Sequence, residues 1–330
     1  ADGRRETVTA SLTIEGTTVT AATFEVDMTT FESGESQRDN QFEGRIMEEL
    51  YGRERAAQLI ELGWEELDAA IKEEGADSPM TKLHVDLSGR NPDDGMSSIA
   101  YDKGATFLRT IEQAVGRQRF DPWLRGYFDR HAFQPITSAL FLADLREHLI
   151  KDDQALEERL RLSEWVYEPG LPSNAVVIRS QSFPAIDAAA QGFALGQPAA
   201  SLGFPKWNYA ERVRFLNALP RELPKERLSA LDTAFGLSKT TNSEVLFAWL
   251  QLAIANRYDP AVPAIDRFLT GQGRRKFVAP LFDSLTQQGE WGRPIATRIF
   301  AQAKSSYHSV TAGTVEKTLN APPAKAAGTN

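Results

Sequence analysis

The chain of 330 residues contains no cysteine, which excludes disulfide bridges and thiolate metal sites. It has only four histidines, His84, His131, His148 and His308, and no two of them stand four residues apart. The H-E-x-x-H arrangement, which sets two imidazoles on one helix face with a general-base glutamate beside them, is therefore missing. Positive charge is short as well. Against 45 aspartates and glutamates there are 37 lysines and arginines, a net charge of -8. That sign argues against a nucleic-acid binder, which needs a basic face to neutralise phosphates, and favours a small or peptidic partner. No apolar run reaches the length of a membrane span, and the opening ADGRRETVTA has neither an initiator Met nor the apolar core of a signal peptide. The chain is thus expected to be processed or a fragment. Its compartment, cytoplasmic or periplasmic, stays open.

What is present describes a folded body. With 42% hydrophobic and 25% charged residues, the chain is long enough for two domains with cores of their own. The hydrophobic period divides it. In residues 1 to about 42, Val8, Ala10, Leu12 and Ile14 alternate with Thr7, Thr9, Ser11 and Thr13. Glu15-Gly16-Thr17 can turn, and Phe24, Val26 and Met28 continue at period two, which predicts a β-hairpin. From Arg45 the apolar residues recur at three and four, predicting helices over Arg53 to Leu62, Glu65 to Lys72, Ser98 to Val115, Pro122 to Arg130 and Ser138 to Leu149. The prolines of WVYEPGLPS, Trp165 to Ser173, stop regular structure, and a linker is expected over 166–204. Residues 205–320 then read as paired helices with short connections, an α-solenoid, before a tail at 321–330. There Asn242 and Ser243 can cap a helix that carries Val245, Trp249 and Leu252 beside Leu246, Leu250 and Ala253, a face broad enough for burial on two sides.

The stretch TKLHVDLSGRNPDDGMSSIAYDKG, Thr81 to Gly104, organises the middle of the chain. Lys82 to Leu87 alternates as a half-buried strand, with Leu83, Val85 and Leu87 on one face. Asn91 to Gly95 are turn formers, and Ser97 or Ser98 can accept the free N-H groups of the following helix. Tyr101 falls in that helix's first turn, where a phenol can point toward a ligand and donate to a developing oxyanion. By pattern alone, packing is the commoner role for such a tyrosine.

Asn-Pro-Asp-Asp-Gly-Met-Ser-Ser-Ile-Ala-Tyr-Asp-Lys-Gly resembles the segment of gluzincin zinc aminopeptidases, of the leukotriene hydrolase type, that carries their transition-state tyrosine. GQGRRKFVAPLF, Gly271 to Phe282, is similar to the same family's Gly-Arg-x-Lys-Phe-x-x-Pro-Leu. The resemblance runs over about 43–320 and implies the helical lobe of a thermolysin-like catalytic domain, to about residue 165, followed by the solenoid. It implies that Tyr101 donates a hydrogen bond in the transition state, that Arg274 and Lys276 hold the carboxylate end of a short peptide, and that Asp93 lines the same cleft. Met96 stands where the family often has a second tyrosine, which puts any epoxide-hydrolase side activity in doubt. The family binds zinc, but no zinc is expected on this chain: its third ligand position would fall on Ser36, with Glu35 beside it, and no histidine pair exists. His84 and His131 read as structural or surface imidazoles.

A different family is resembled upstream. Ser11 to Met47, including GTTVTAATFEVDM and ESQRDNQFEGRIM, is similar to polyisoprenoid-binding, lipocalin-like periplasmic proteins, which close a barrel around a lipid chain. A few strands cannot close a barrel, so lipid binding is not expected, and a junction between the two resemblances is placed near Phe42 to Met47. The functional expectation is the C-terminal portion of a zinc-dependent aminopeptidase, inactive alone because the zinc motif is absent; whether a second, zinc-bearing half supplies it stays open. The alternative is a non-enzymatic helical scaffold for a protein partner.

Overall fold

In the computed structural model of the chain, backbone and side chains are described for residues 48–90, 95 and 97–321, and backbone alone for 8–15 and 18–26. Asp93, Met96, Glu35, Ser36 and the junction at Phe42 to Met47 lie outside the described residues. Strands β1 (Val8–Glu15) and β2 (Thr18–Val26) pair antiparallel, Val8 opposite Val26, with an irregularity between Thr13 and Ile14. The rest of the described chain is mainly helical. It divides into two compact units: one takes in 67–85 and 97–176, with the N-terminal residues to Gly52, and the other 53–66, 86–96 and 177–330.

Helix α1 (Arg53–Glu74) runs unbroken where two helices were expected on either side of Gly63. A mid-helix glycine costs about 1 kcal/mol, less than is gained from burying Ala56, Leu59, Leu67 and Ile71 along one face. Within the first unit follow α2 (Ser98–Val115), α3 (Arg117–Arg130), α4 (Ser138–Asp144), α5 (Gln154–Leu160) and α6 (Leu162–Tyr167). Gly116, at φ 76°, ends α2 and starts α3 in a single residue, a conformation that L side chains avoid. Helix α3 begins at Arg117 and contains Pro122, which was expected to open it. The last turn of α4 widens into a π-helical stretch, Leu145–Ile150. Phe107, Ile111, Phe120, Trp123, Leu145 and Trp165 are buried in one core, with Phe107 stacked on Trp165 at 5.1 Å. Side chains of this size each contribute about 2–3 kcal/mol by leaving water.

Lys82 to Leu87 is not a strand. Leu83, Val85 and Leu87 are half-buried and His84 and Asp86 exposed, so the alternation is real, but a strand needs a partner ladder. The backbone bonds of this stretch are a turn bond at each end, Lys82 N-H to the Pro79 carbonyl and Arg90 N-H to the Leu87 carbonyl, and a single tie of His84 N-H to the Val166 carbonyl at 2.9 Å, none of them a ladder. Nor is 166–204 a bare linker: α7 (Phe183–Ala194) lies inside it and buries Phe183, Ile186, Ala190 and Phe193.

The second unit continues with α8 (Tyr209–Ala218), α9 (Lys225–Phe235), α10 (Ser243–Ala255), α11 (Val262–Gly271), α12 (Arg275–Gln287), α13 (Gly289–Ala303) and α14 (Ser309–Asn320). Helix α8 packs on α10, α10 on α12 and α12 on α14, while α11 packs on α13 in a second row. The Asn242 side chain accepts the Val245 N-H at 3.0 Å, and α10 buries Val245, Trp249, Leu250, Leu252 and Ala253, which matches the breadth of its apolar face. No strand occurs among the described residues of 208–320.

Candidate functional site

Tyr101 is the fourth residue of α2 and its side chain is 45% exposed. Two positions on, a 200° rotation turns the next side chain of interest the opposite way, and Lys103 is fully buried. Its ammonium donates to the carbonyls of Thr81 and Glu168, each at 3.0 Å. Burial, with Lys82 adding repulsion and Glu168 opposing, brings the Lys103 pKa down to about 8. Thr81 also accepts the Gly170 N-H on its hydroxyl at 2.8 Å. This clasp fixes the start of α2, and with it the direction in which Tyr101 points. Ser97 is the N-cap, as its sequence position suggested, but its side chain makes no capping bond. Lys103 carries more of the anchoring than the serine does.

Arg274 and Lys276 flank the start of α12. Arg274 occupies the N-cap, and its guanidinium lies 5.5 Å from the Phe277 ring. It has no carboxylate partner among the described residues. Lys276 donates to Glu244 Oε1 at 3.0 Å, both side chains being largely covered at 20% and 28% exposed. Arginine, arginine and lysine in succession at a helix start oppose the macrodipole, whose positive end lies there. Glu66, the last residue of α1 in this unit, stands near enough to Lys276 and Glu244 to feel both charges. Loss of hydration by burial, chiefly, raises its carboxyl above the ordinary value, although the residue as a whole keeps exposed surface; Lys276 opposes that rise, and Glu244 and Glu65 add to it.

Of the four residues singled out from sequence, Tyr101 belongs to the first unit, Arg274 and Lys276 to the second, and Asp93 is outside the described residues. Glu244 and Glu66 were not singled out. A glutamate in a first helical turn is ordinary, and nothing local marks Glu244 as the partner of a lysine 32 residues later. His131 is structural, as expected: its Nε2 meets Asp144 Oδ2 at 3.0 Å. His148 Nδ1 lies 3.2 Å from the Asp144 carbonyl. Among the described residues no group of three or more histidine, aspartate or glutamate side chains could hold a metal ion. No described helix is long and apolar enough to cross a membrane.

Two family models match the chain. Residues 40–163 match the peptidase family M1 domain, and residues 207–319 match leukotriene A4 hydrolase, C-terminal. Leucine aminopeptidase 2 of Aspergillus niger is 32% identical over 292 residues, covering 84% of this chain and 46% of that protein. Leucine aminopeptidase 2 of Ajellomyces capsulatus is 28% identical over 302 residues, covering 84% and 45%. The chain thus spans a little under half the length of the curated relatives it matches. Yeast LTA4 hydrolase in complex with bestatin shares the fold at a TM-score of 0.71 and 22% identity, over 87% of this chain and 49% of that one. Native leukotriene A4 hydrolase from Saccharomyces cerevisiae does so at 0.65 and 22%, over 87% and 49%.

Proposed function

We propose that this chain, which corresponds to the C-terminal part of an M1 aminopeptidase of the leukotriene A4 hydrolase type, is the substrate-holding portion of an enzyme that removes N-terminal residues from short peptides. The observation that carries the reading is the cationic start of α12. There Arg274, without a carboxylate partner among the described residues, and Lys276 are set at a helix end whose dipole has the same sign. Arg274 offers a planar fork to a peptide carboxylate and Lys276 a point charge. On the family resemblance, Tyr101 is the residue assigned to donate a hydrogen bond to the oxyanion that forms at the scissile carbonyl. The solenoid reading of 205–320 belongs to this proposal.

M1 aminopeptidases are zinc enzymes. The residues described here do not fit a zinc cage: no metal-holding group is found among them, and His131 and His148 are engaged by Asp144. The nucleophilic water and its general base are assigned to a zinc-bearing part outside 43–320. That misfit favours a second reading, a helical scaffold for a protein partner without catalysis.

Calorimetric titration with Ala-Ala-Ala tests the choice. The peptide should bind, Arg274→Ala should weaken it at least about tenfold, the size of a lost charge-assisted bond, and Tyr101→Phe should leave ground-state binding unchanged. Absence of binding, or indifference to Arg274→Ala, leaves the scaffold. Stoichiometric zinc in dialysed chain would overturn the assignment of the metal elsewhere.

For the N-terminal residues we propose an appendage, with the junction near 42–47. The M1 match begins at residue 40, which supports it. Deleting residues 1–40 should leave helical content and the melting transition of the remainder within about 2 °C, the effect of under 1 kcal/mol. A collapsed transition would make the hairpin integral to the fold.

A further inference from the structure

We propose that the outer face of α3, with Phe133 just beyond it, is a self-association surface that pairs antiparallel with the same face of a second copy of this chain. The inference is independent of the peptide-binding reading. Helix α3 buries Phe120 and Trp123 in the core of the first unit. Its other side carries Pro122, Arg125, Phe128 and Asp129, all exposed, and at 100° per residue these four lie within an arc of about 120°. Phe128 is 65% exposed on that face, and Phe133 is wholly exposed. Phe133 also has φ 59°, a left-handed backbone that is sterically costly for a bulky side chain. Within the chain no burial of the ring offsets that cost. A second surface laid over it does.

The charges identify the partner. Arg125 and Asp129 stand one helical turn apart, and neither has a hydrogen-bonded or ion-paired partner among the described residues. Arg130, next to Asp129, is taken by Asp144, whose carboxylate accepts from it twice at 2.7 Å. When two copies of α3 lie antiparallel about a twofold axis near Tyr127, Arg125 of each copy faces Asp129 of the other. The same operation sets the exposed ring of Pro122 beside the Phe133 end of the other copy. Phe128 then lies over Gly126, which has no side chain to hold it off and beside which the Arg130 guanidinium lies, a flat cation for an aromatic ring. Apolar groups meet apolar groups and each open charge meets its opposite, as an isologous interface requires. One helix face is smaller than a standard interface, so the dimer belongs in the micromolar range.

Sedimentation velocity of the whole chain, from about 1 to 200 µM, tests the proposal. Wild type should pass from monomer to dimer across that range. Phe128→Ser should weaken the dimer at least about tenfold, as loss of a central aromatic does. Phe133→Gly should weaken it too, while the dilute variant melts no lower than wild type, because glycine accepts the left-handed backbone. Arg125→Asp and Asp129→Arg should each weaken it at least about tenfold, since each sets two like-charged contacts across the axis. An equimolar mixture of these two variants should dimerise again, within about threefold of wild type, because every unlike pair is rebuilt in the mixed dimer. A variant that merely disturbs folding cannot be rescued in this way. A chain that stays monomeric throughout leaves the face to some other partner and overturns the proposal. So does a dimer indifferent to Phe128→Ser and to both charge reversals, which would form through another surface. Failure of the mixture to restore what the single reversals removed overturns the antiparallel pairing.

Discussion

Gly292→Ala is expected to lower the stability of the second unit by about 3 kcal/mol, an overpacking cost at the upper end of the usual range. Gly292 sits in the first turn of α13, where the chain has just reversed out of α12. A Cβ built there runs into the carbonyl of Leu285 and comes within 2.9 Å of Gln288 Cβ. The Leu285 carbonyl is backbone near the end of a helix that buries Phe277, Val278, Leu281, Phe282 and Leu285. It cannot swing aside as a flexible side chain would, so α12 and α13 have to separate. The comparison that isolates this cause is Gly313→Ala in α14, where nothing lies within 4 Å of the added methyl. There the same substitution should stabilise by up to about 1 kcal/mol through helix propensity alone. Thermal melts of the two variants should shift in opposite directions, Gly292→Ala downward by about 6–12 °C in a unit of this size. Two equal shifts would show that the close approach at Gly292 carries no energetic weight.

How much of this was open to reading from the sequence depends on the range of the interaction. Local signals held where one element decides the outcome. Asn242 caps α10, the breadth of Val245, Trp249, Leu250 and Ala253 marks a helix buried on two sides, and Ser97 does end the loop before α2. Where a partner distant in sequence decides, the local signal misled. Lys82 to Leu87 alternates as a strand and finds no ladder, Gly63 reads as a break that packing on Leu59 and Leu67 outvotes, and the two prolines after Trp165 obscured the apolar face of α7. The site divides the same way. Tyr101, Arg274 and Lys276 sit in motifs that can be matched by eye. Glu66 and Glu244, and the inward turn of Lys103 onto the Thr81 and Glu168 carbonyls, depend on contacts that no window of sequence contains.

Asp144 is the other residue whose importance is long-range, and Asp144→Ala should destabilise the first unit by about 3 kcal/mol. Its side chain is 4% exposed at the end of α4. It accepts from Trp123 Nε1 at 3.0 Å, from Arg130 Nε and Nη2 at 2.7 Å each, and meets His131 Nε2 at 3.0 Å. Three groups on and just beyond α3 thus converge on one carboxylate, and truncating it leaves a buried indole N-H and a guanidinium without their acceptor. The Arg130 fork chiefly, helped by His131 and Trp123 and opposed by burial, lowers the Asp144 pKa to about 2 from an ordinary 3.8. A carboxyl whose pKa is lower in the folded state than in the unfolded chain binds fewer protons when folded. Its contribution is therefore complete above the unfolded value and lost as pH falls through the window from 3.8 to about 2. With solvent reaching Arg130, the loss over that window is about 1–2 kcal/mol. Urea titrations at pH 4.5 and pH 2.5 should show wild type losing this increment and Asp144→Asn, already weakened, losing less by the same amount. If the two curves fall in parallel, the carboxylate is not the group that couples acid to the unfolding of α3 from α4.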